Sequence, residues 1–438
     1  MSLKTFDGGL HPPDSKKYTE HKAIEACPLP EELVIPAVQH IGAPAEICVA
    51  VGDKVDKGTV IATAKGFVSV PIHASTSGEV VAVEPRLHPM GRPMPAVVIK
   101  ADGEDRWDET LNGGDPQLLD PDTLKKQLCA AGIVGLGGAT FPAHVKLSPP
   151  PEKKIDTLIL NGVECEPFLT ADHRLMLEES ERIIDGINIL RKILDITTAV
   201  IGIEANKPDA IAKLTKECAA HNIQVQALEV KYPQGAEKQL IDAITGRQVP
   251  SGGLPMDCGV VVQNVGTAAA ISDAIRLGRP LVERIATITG PGIKDPKNLK
   301  ITIGTPLSHL VEQCGGLNGE PGKIIMGGPM MGQTQLSLEV PAIRGTSGLL
   351  VFPQGDIATK PAGPCIRCGR CVSVCPIHLQ PTTIAAYARL DMIDEAEQFN
   401  ALDCIECGCC TYICPASLPL VQSIRHIKGG IMAKRRKS

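Results

Sequence analysis

Residues Cys365–Pro376 read CIRCGRCVSVCP and residues Cys404–Pro415 read CIECGCCTYICP, so the spacing C-x2-C-x2-C-x3-C-P occurs twice. Three thiols at intervals of three wrap a short turn of backbone around three corners of an iron–sulfur cube, and the proline keeps the next helix from closing over it. A structural zinc site also uses C-x2-C pairs but closes with four ligands, whereas here a full tetrad with its proline is present twice. A disulfide framework is disfavoured: the opening MSLKTFDGGL lacks the features of a secretory leader, and a reducing cytosol is the expected setting. The extra thiol Cys409, beside Cys410, reads as a small buried side chain packed by the cluster.

The doubled pattern resembles that of bacterial two-cluster ferredoxins, in which three thiolates of one run and the distant fourth of the other hold each [4Fe-4S] cube. The resemblance implies that Cys365, Cys368, Cys371 and Cys414 hold one cluster and Cys404, Cys407, Cys410 and Cys375 the other. Arg367 and Arg370 lie inside the first run and Glu406 inside the second. Positive charge favours a reduced cluster, so the cluster of the first run is expected to have the higher potential. Between the runs, PTTIAAYARLDMIDEAEQFN starts a helix at Pro381 with Ile384, Tyr387, Leu390 and Ile393 on one face, and a last helix is expected in SLPLVQSIRHIK.

The chain has 438 residues, a length that suggests about three domains. Hydrophobic residues make up 43% and charged residues 21%, a globular balance, and the net charge of -5 argues against nucleic-acid binding. No run reaches the roughly 18–20 apolar residues of a membrane span, so any membrane role is peripheral. The basic end Lys434, Arg435, Arg436, Lys437 reads as a solvated terminus. Seven further cysteines are scattered singly (Cys27, Cys48, Cys129, Cys165, Cys218, Cys258, Cys314) and read as packing residues.

Residues 1–30 are expected to form an extended arm laid over the next domain. From 31 to 100, short apolar runs alternate with Gly and Pro, which predicts a small all-β unit. Its pieces VGDKVDKGTVIA and IHASTSGEVVAV resemble the halves of a barrel-sandwich hybrid, the fold of lipoyl and biotinyl carriers. Lys65 is the one candidate for a carried group, but its spacing to the returning strand is poor, so the unit reads as scaffold. Residues 101–119 form a polar, Gly-rich linker, and Asp120 is a candidate N-cap for the helix in DTLKKQLCAAG.

The stretch GIVGLGGATFPAHVK, Gly132–Lys146, is the second informative segment. Gly132, Gly135, Gly137 and Gly138 free the backbone to approach a phosphate, and a helix after Pro142 would add its positive end. The strand in KIDTLILNGVECEP ends at Asn161, where an α/β sheet places ligand-binding groups. The strands TTAVIGIEA and QVQALEVK alternate with two helices, one within TADHRLMLEESERIIDGINILRKIL and one in PDAIAKLTKECAAH. That alternation predicts a parallel, Rossmann-like sheet over 120–284, with GVVVQNVGTAAAISDAIRLG adding a further strand, turn and helix.

The set GLGGATFPAHVK, NGVECEP, YPQGAEKQL and VVQNVGTAAAI resembles the NADH- and flavin-binding domain of the NADH-oxidising flavoprotein of respiratory complex I. The segment IATITGPGIKDPKNLKITIGTPLSHLVEQCGG, within 285–345, resembles the ubiquitin-like β-grasp (SLBB-like) module that follows it in those proteins. The whole chain, with its opening GGLHPPDSKK, resembles the RnfC family, a component of the Rnf complex, the membrane-bound ferredoxin:NAD+ oxidoreductase that pumps Na+ or H+.

The resemblance implies a multidomain α/β plus β protein: arm, barrel-sandwich hybrid, FMN/NADH domain, β-grasp module, and a ferredoxin-like α domain over 346–438 with two [4Fe-4S] clusters. It further implies that Gly135, Gly137, Gly138 and Lys146 hold the FMN phosphate, and that Asn161, Glu164, Asn264 and Thr267 bind the rest of the flavin. Glu166 would meet the nicotinamide of NAD(H), Phe141 would stack on the nucleotide, and Glu237 would lie near a ribose. No side chain is needed as acid, base or nucleophile, because the flavin performs the hydride transfer.

The sequence departs from the complex I motif at Val163, at Ala236 and at Leu147–Pro149, which lack an acid, one of a Glu pair and an aromatic, so NADH is expected to bind weakly. Expected partners are reduced ferredoxin, NAD(H) and the other Rnf subunits, at the cytoplasmic face of the inner membrane. Three other readings stay open: a soluble corrinoid reductase, a docking electron relay with an empty nucleotide domain, and a carrier modified at Lys65. Met326, Met330 and Met331 in KIIMGGPMMGQ read as gap-filling side chains rather than a soft-metal site.

Overall fold

The computed structural model describes residues 3–357 and 360–436; Lys437 of the basic end lies outside them. The arm runs along the α/β and mixed sheets and reaches the core of the β unit at Leu29 rather than lying over that unit. Lys4 bridges Leu228 and Leu10 bridges Tyr232 at the edge of the α/β sheet, and strand Ile24–Ala26 pairs in parallel with Lys297–Thr302 far along the chain. Phe6 and Leu10 are buried there. The open edge of strand Gln224–Leu228 and the turn after it offer unpaired backbone groups, which the arm satisfies.

The β unit has two small sheets. One contains Glu32–Pro36, Arg92–Ala101, Gly78–His88 and Lys54–Val55, and the other Glu46–Ile47, Val60–Thr63 and Ile72–His73. Leu33, Ile35, Ile61, Ile72, Val80, Val97 and Ile99 fill the space between. Lys65 stands exposed in the connection after Val60–Thr63, with its ammonium 3.7 Å from Glu46. The linker is firmly held: the buried Lys57 ammonium binds Asp105 (2.6 Å) and Glu283 (2.5 Å) and lies 4.9 Å from the Trp107 ring.

Helix Pro121–Ala130 starts as the sequence indicates, with Asp120 accepting from the amides of Asp122 and Thr123. The α/β unit then builds a four-stranded parallel sheet in the order Gln224–Leu228, Thr198–Glu204, Thr157–Asn161, Val260–Asn264. Strand order reverses between Thr157–Asn161 and Val260–Asn264, the switch point at whose C-terminal ends an open α/β sheet places its ligand crevice.

Two expectations fail locally. The stretch from Ala171 to Leu194 is two helices, Ala171–Glu178 and Ser180–Leu194, because the chain turns out of helical geometry at Glu179. The helix after Pro142 is a single turn, Ala143–Lys146, stopped by the prolines at 149–151, so it contributes little dipole to an anion. Helix Ser180–Leu194 crosses Val265–Arg276 so closely that a Cβ on Gly186 would sit 1.9 Å from the Ala268 carbonyl oxygen.

The next unit is a six-stranded mixed sheet in the order Ile24–Ala26, Lys297–Thr302, Glu283–Thr289, Gly348–Pro353, Pro321–Met326, Gln333–Gln335. It extends past residue 345, since Gly348–Pro353 pairs on both sides. The cysteine-rich unit packs Pro381–Ala388, Ile393–Gln398 and Leu420–Arg435 around Ile384, Ala396, Ile424, Ile427 and Ile431. The expected single helix between the runs is broken at Asp391 (φ 51), which leaves Leu390 70% exposed instead of on the buried face.

Candidate functional site

Asn161 and Asn264 face each other as register partners at the ends of adjacent parallel strands. Asn264 Oδ1 accepts from the Gly266 amide (2.8 Å), capping helix Val265–Arg276, while its Nδ2 donates to Asp172 Oδ2 (2.7 Å) and the Asn161 carbonyl (3.3 Å). Asn161 Nδ2 donates to the Gly235 carbonyl at 2.7 Å.

The Gly-rich loop lies on this floor. A Cβ on Gly137 would meet Asn264 Nδ2 at 2.8 Å, and the Leu136 amide donates to Thr267 Oγ1 at 2.9 Å. The loop is cinched by the Gly135 amide donating to the Phe141 carbonyl (2.9 Å), and a Cβ on Gly138 would meet nothing within 4 Å. Gly132 belongs elsewhere: at φ +67 it makes room for Arg344. Lys146 Nζ donates to Glu237 (2.6 Å) and to the Val262 carbonyl (2.8 Å), so the expected phosphate-binding cation and ribose-binding acid form an ion pair at the crevice. Phe141 is half-buried beside them.

The two acids of NGVECEP are engaged by protein groups. Glu164, at φ 48, accepts from the amides of Asp172 (2.8 Å) and His173 (3.1 Å) and caps helix Ala171–Glu178. Glu166 accepts from the amides of Met330 (3.0 Å) and Met331 (2.8 Å), so the loop Gly327–Gly332 covers its carboxylate. Burial pushes the Glu166 carboxyl up to about 7. Burial, and next the charge of Glu164, push Asp172 up to about 7 as well. Asp172 has no role in the sequence reading; its signal there was only an acid in the first turn of a helix.

The residues present fit a bound flavin phosphate: a glycine cradle open at Gly138, a cation at Lys146, and a buried Gln263 at the crevice strand whose Nε2 has no protein partner. A separate cavity of about 730 Å³, bordered by Arg191, Lys192 and Arg276, shares none of these residues.

The two cysteine runs fold alike. Arg367 (φ 56) and Glu406 (φ 58) are left-handed, Gly369 (φ 75) and Gly408 (φ 79) follow, and one-turn helices start at Arg370 and Cys409. Arg367 and Glu406 amides donate to Cys365 and Cys404 Sγ at 3.4 Å, and the Leu379 amide donates to Cys375 Sγ at 3.3 Å. Cys404, Cys407, Cys410 and Cys375 converge: burial and then the charges of the other three push the Cys410 thiol up to about 12. Among the described residues no group of three or more His, Cys, Asp or Glu side chains is arranged to hold a metal ion in the chain as it stands. Cys371 and Cys414 pack in one apolar group, with Cys365 and Cys368 exposed. Cys409 is fully buried and packs with Leu10 and Tyr232.

The charge contrast between the runs is weaker than the sequence suggests, since Glu406 is bound by Arg425 and Lys428, each at 2.7 Å. The second run and the end of the first are both seated against the α/β unit. Tyr232 Oη donates to the Cys407 carbonyl (2.9 Å), Gln239 Nε2 donates to the Pro376 carbonyl (3.0 Å), and Cys165 and Met330 pack at the same junction.

Family models match the chain in four places: an RnfC barrel sandwich hybrid domain at 4–104, a Nuo51 FMN-binding domain at 128–273, an SLBB domain at 285–334, and a 4Fe-4S dicluster domain at 359–415. The chain is 51% identical to the C component of the proton-translocating ferredoxin:NAD(+) oxidoreductase complex of Clostridium ljungdahlii, over 97% of this chain and 94% of that one. It is also 51% identical to the C component of the Na(+)-translocating complex of Acetobacterium woodii, over 100% of both. The C component of the ion-translocating oxidoreductase complex of Rhodobacter capsulatus is 44% identical over 98% of this chain and 83% of its own length. Among solved structures, a chain of an NAD+-reducing [NiFe]-hydrogenase in the H2-reduced state aligns with TM-score 0.50 at 16% identity, covering 74% of this chain and 62% of that one, a likeness of fold alone.

Proposed function

Since the chain belongs to the RnfC family of ion-translocating ferredoxin:NAD+ oxidoreductase complexes, we propose that it works as a converter between electron pairs and single electrons, joining a flavin crevice to two clusters. It is the FMN and iron–sulfur subunit that passes electrons between reduced ferredoxin and NAD+. When bound, the flavin exchanges a hydride with NAD(H) and exchanges electrons singly with the clusters, each of which carries one. The sheet is Rossmann-like, with the crevice at its switch point.

In this reading Gly135, Gly137, Gly138 and Lys146 hold the phosphate, and Lys146 exchanges Glu237 for it. Asn161, Asn264 and Thr267 fix the floor beneath the ring, and Glu164 holds the loop that carries Glu166 toward the nicotinamide. Phe141 closes the nucleotide side, with Glu237 beside the ribose. Cys365, Cys368, Cys371 and Cys414 hold the outer cluster, and Cys404, Cys407, Cys410 and Cys375 the one beside the crevice.

The observation that carries the reading is the hydrogen bond from Tyr232 to the Cys407 carbonyl, which locks the second cysteine run against the crevice wall. Among the described residues no helix is long and apolar enough to cross a membrane, and we place the chain as a peripheral subunit at the cytoplasmic face, docked on membrane subunits and met by ferredoxin. The relatives at 51% identity are named for different ions, so ion choice is assigned to those other subunits.

The corrinoid-reductase reading yields to family membership. The relay with an empty nucleotide domain draws on one fact, that Glu166 and Lys146 are both engaged by protein groups. Anaerobic purification followed by iron, sulfide and flavin analysis and a spectrum with NADH decides between them. About eight irons, one FMN and bleaching by NADH is the expected result, and about eight irons with neither flavin nor bleaching overturns the converter.

A further inference from the structure

The N-terminal arm carries a lysine that is fully embedded. Lys16, in a short turn Lys16–Tyr18, is 3% exposed, and its Nζ donates to the carbonyls of Glu164 (2.9 Å), Glu166 (3.1 Å) and Leu169 (2.5 Å). Three acceptors around one nitrogen take three N–H donors, so the geometry favours the ammonium over the amine, against burial and the nearby Lys207, which lower its pKa. The three carbonyl dipoles point inward at a single place, an arrangement that only a cation makes favourable. A second buried lysine, Lys207, binds the Val163 carbonyl at 2.7 Å and lies 3.4 Å from the buried Glu204 carboxylate, which offsets part of its charge. The loop bearing Glu164 and Glu166 therefore rests on two positive charges, one supplied by residues outside the match to the FMN-binding model at 128–273.

The rest of the arm straps the same loop. The Phe168 amide donates to the Asp14 carbonyl (2.8 Å), Tyr18 stacks on Phe168 with ring centroids 5.8 Å apart, and Thr19 Oγ1 meets Thr170 Oγ1 at 2.6 Å. Glu164 (φ 48) and Phe168 (φ 70) are both left-handed without being glycine, a backbone held only where its surroundings over-determine it. Lys16 and the strap are those surroundings.

We propose that Lys16 is a positioning residue of the flavin and nicotinamide site, which fixes the loop 164–169 and places a positive charge behind the crevice that raises the flavin potential. The inference rests on the flavin-site reading above. Flavin reduction adds negative charge, so a nearby buried cation favours the reduced form.

The test uses the intact complex with Lys16→Met. Its expected result is FMN affinity at least tenfold weaker and a flavin reduction equilibrium shifted at least tenfold toward the oxidised form, about 30 mV for a two-electron couple, with iron and sulfide content unchanged. Tyr18→Ala, which loosens the strap and keeps the cation, is expected to weaken FMN binding several-fold with the potential unmoved, and it carries the test if Lys16→Met does not assemble. A parent complex without flavin overturns the reading on which the inference stands. A parent that holds flavin, beside variants matching it within twofold in affinity and potential, overturns the role of Lys16 alone.

Discussion

Asp172 donates nothing to the sheet or the core, yet it is held at the crevice floor by Asn264 with a carboxyl raised to about 7. A carboxyl raised on folding stabilises the protein below its unfolded value near 3.8, and that contribution is lost as pH rises through 7. Asp172→Asn, which mimics the protonated acid, is thus expected to match the parent only below about pH 4 and to gain on it as pH rises to 7, exceeding it at pH 8 by on the order of a few kcal/mol, read as the difference in thermal midpoint across that range. At the clusters, the exposed Arg367 and Arg370 are screened by solvent, whereas the half-buried Glu406 holds two cations beside Cys404. Redox titration followed by electron paramagnetic resonance is expected to show Glu406→Gln raising the second cluster's potential by more than Arg367→Ala with Arg370→Ala lowers the first. The cysteine runs and the glycine-rich loop stand out in the sequence because their spacing is local. The ion pairs of Glu406 and Lys146 and the three carbonyls around Lys16 were not, because each partner lies far along the chain.

The element that most alters the sequence reading is the loop Gly327–Gly332, which joins strands Pro321–Met326 and Gln333–Gln335. Its methionines read as packing residues, and Met330 does pack at the junction, but its backbone is what covers Glu166. Main-chain amides are present at every non-proline position, so no side-chain pattern could have announced that cap. Gly328 is required for it: a Cβ there would lie 2.2 Å from Glu166 Oε2. Gly328→Ala is expected to lift the loop and speed hydrogen exchange at the Met330 and Met331 amides at least tenfold, measured by mass spectrometry. Helix breaks at Glu179 and Asp391 escaped for the same reason that helix starts at Asp120 and Pro381 did not. Starts carry capping residues or a first-turn proline, while these breaks carry neither glycine nor proline to mark them.

For the molecule as a whole, the units form one body because Leu10, Tyr232, Met330, Cys407 and Cys409 pack together from the arm, the α/β unit, the mixed sheet and the cysteine-rich unit. Tyr232→Phe removes the donor to the buried Cys407 carbonyl, at a cost of about 1–3 kcal/mol to that interface. Faster hydrogen exchange across residues 404–412 and slower electron passage between flavin and cluster are the expected outcomes, and unchanged rates in both would contradict the locking role. Each unit was foreseeable from its own stretch of sequence, whereas the path of the arm was not, since nothing in GGLHPPDSKK states which surface it seeks. That path bears on how the chain is made. Gly9 donates its amide to the Val374 carbonyl, and Gly8 lies against Cys375. These contacts of the arm therefore form only once a segment more than three hundred residues downstream has been made. Its seating is therefore a late event, because it waits on the fold of the cysteine-rich unit.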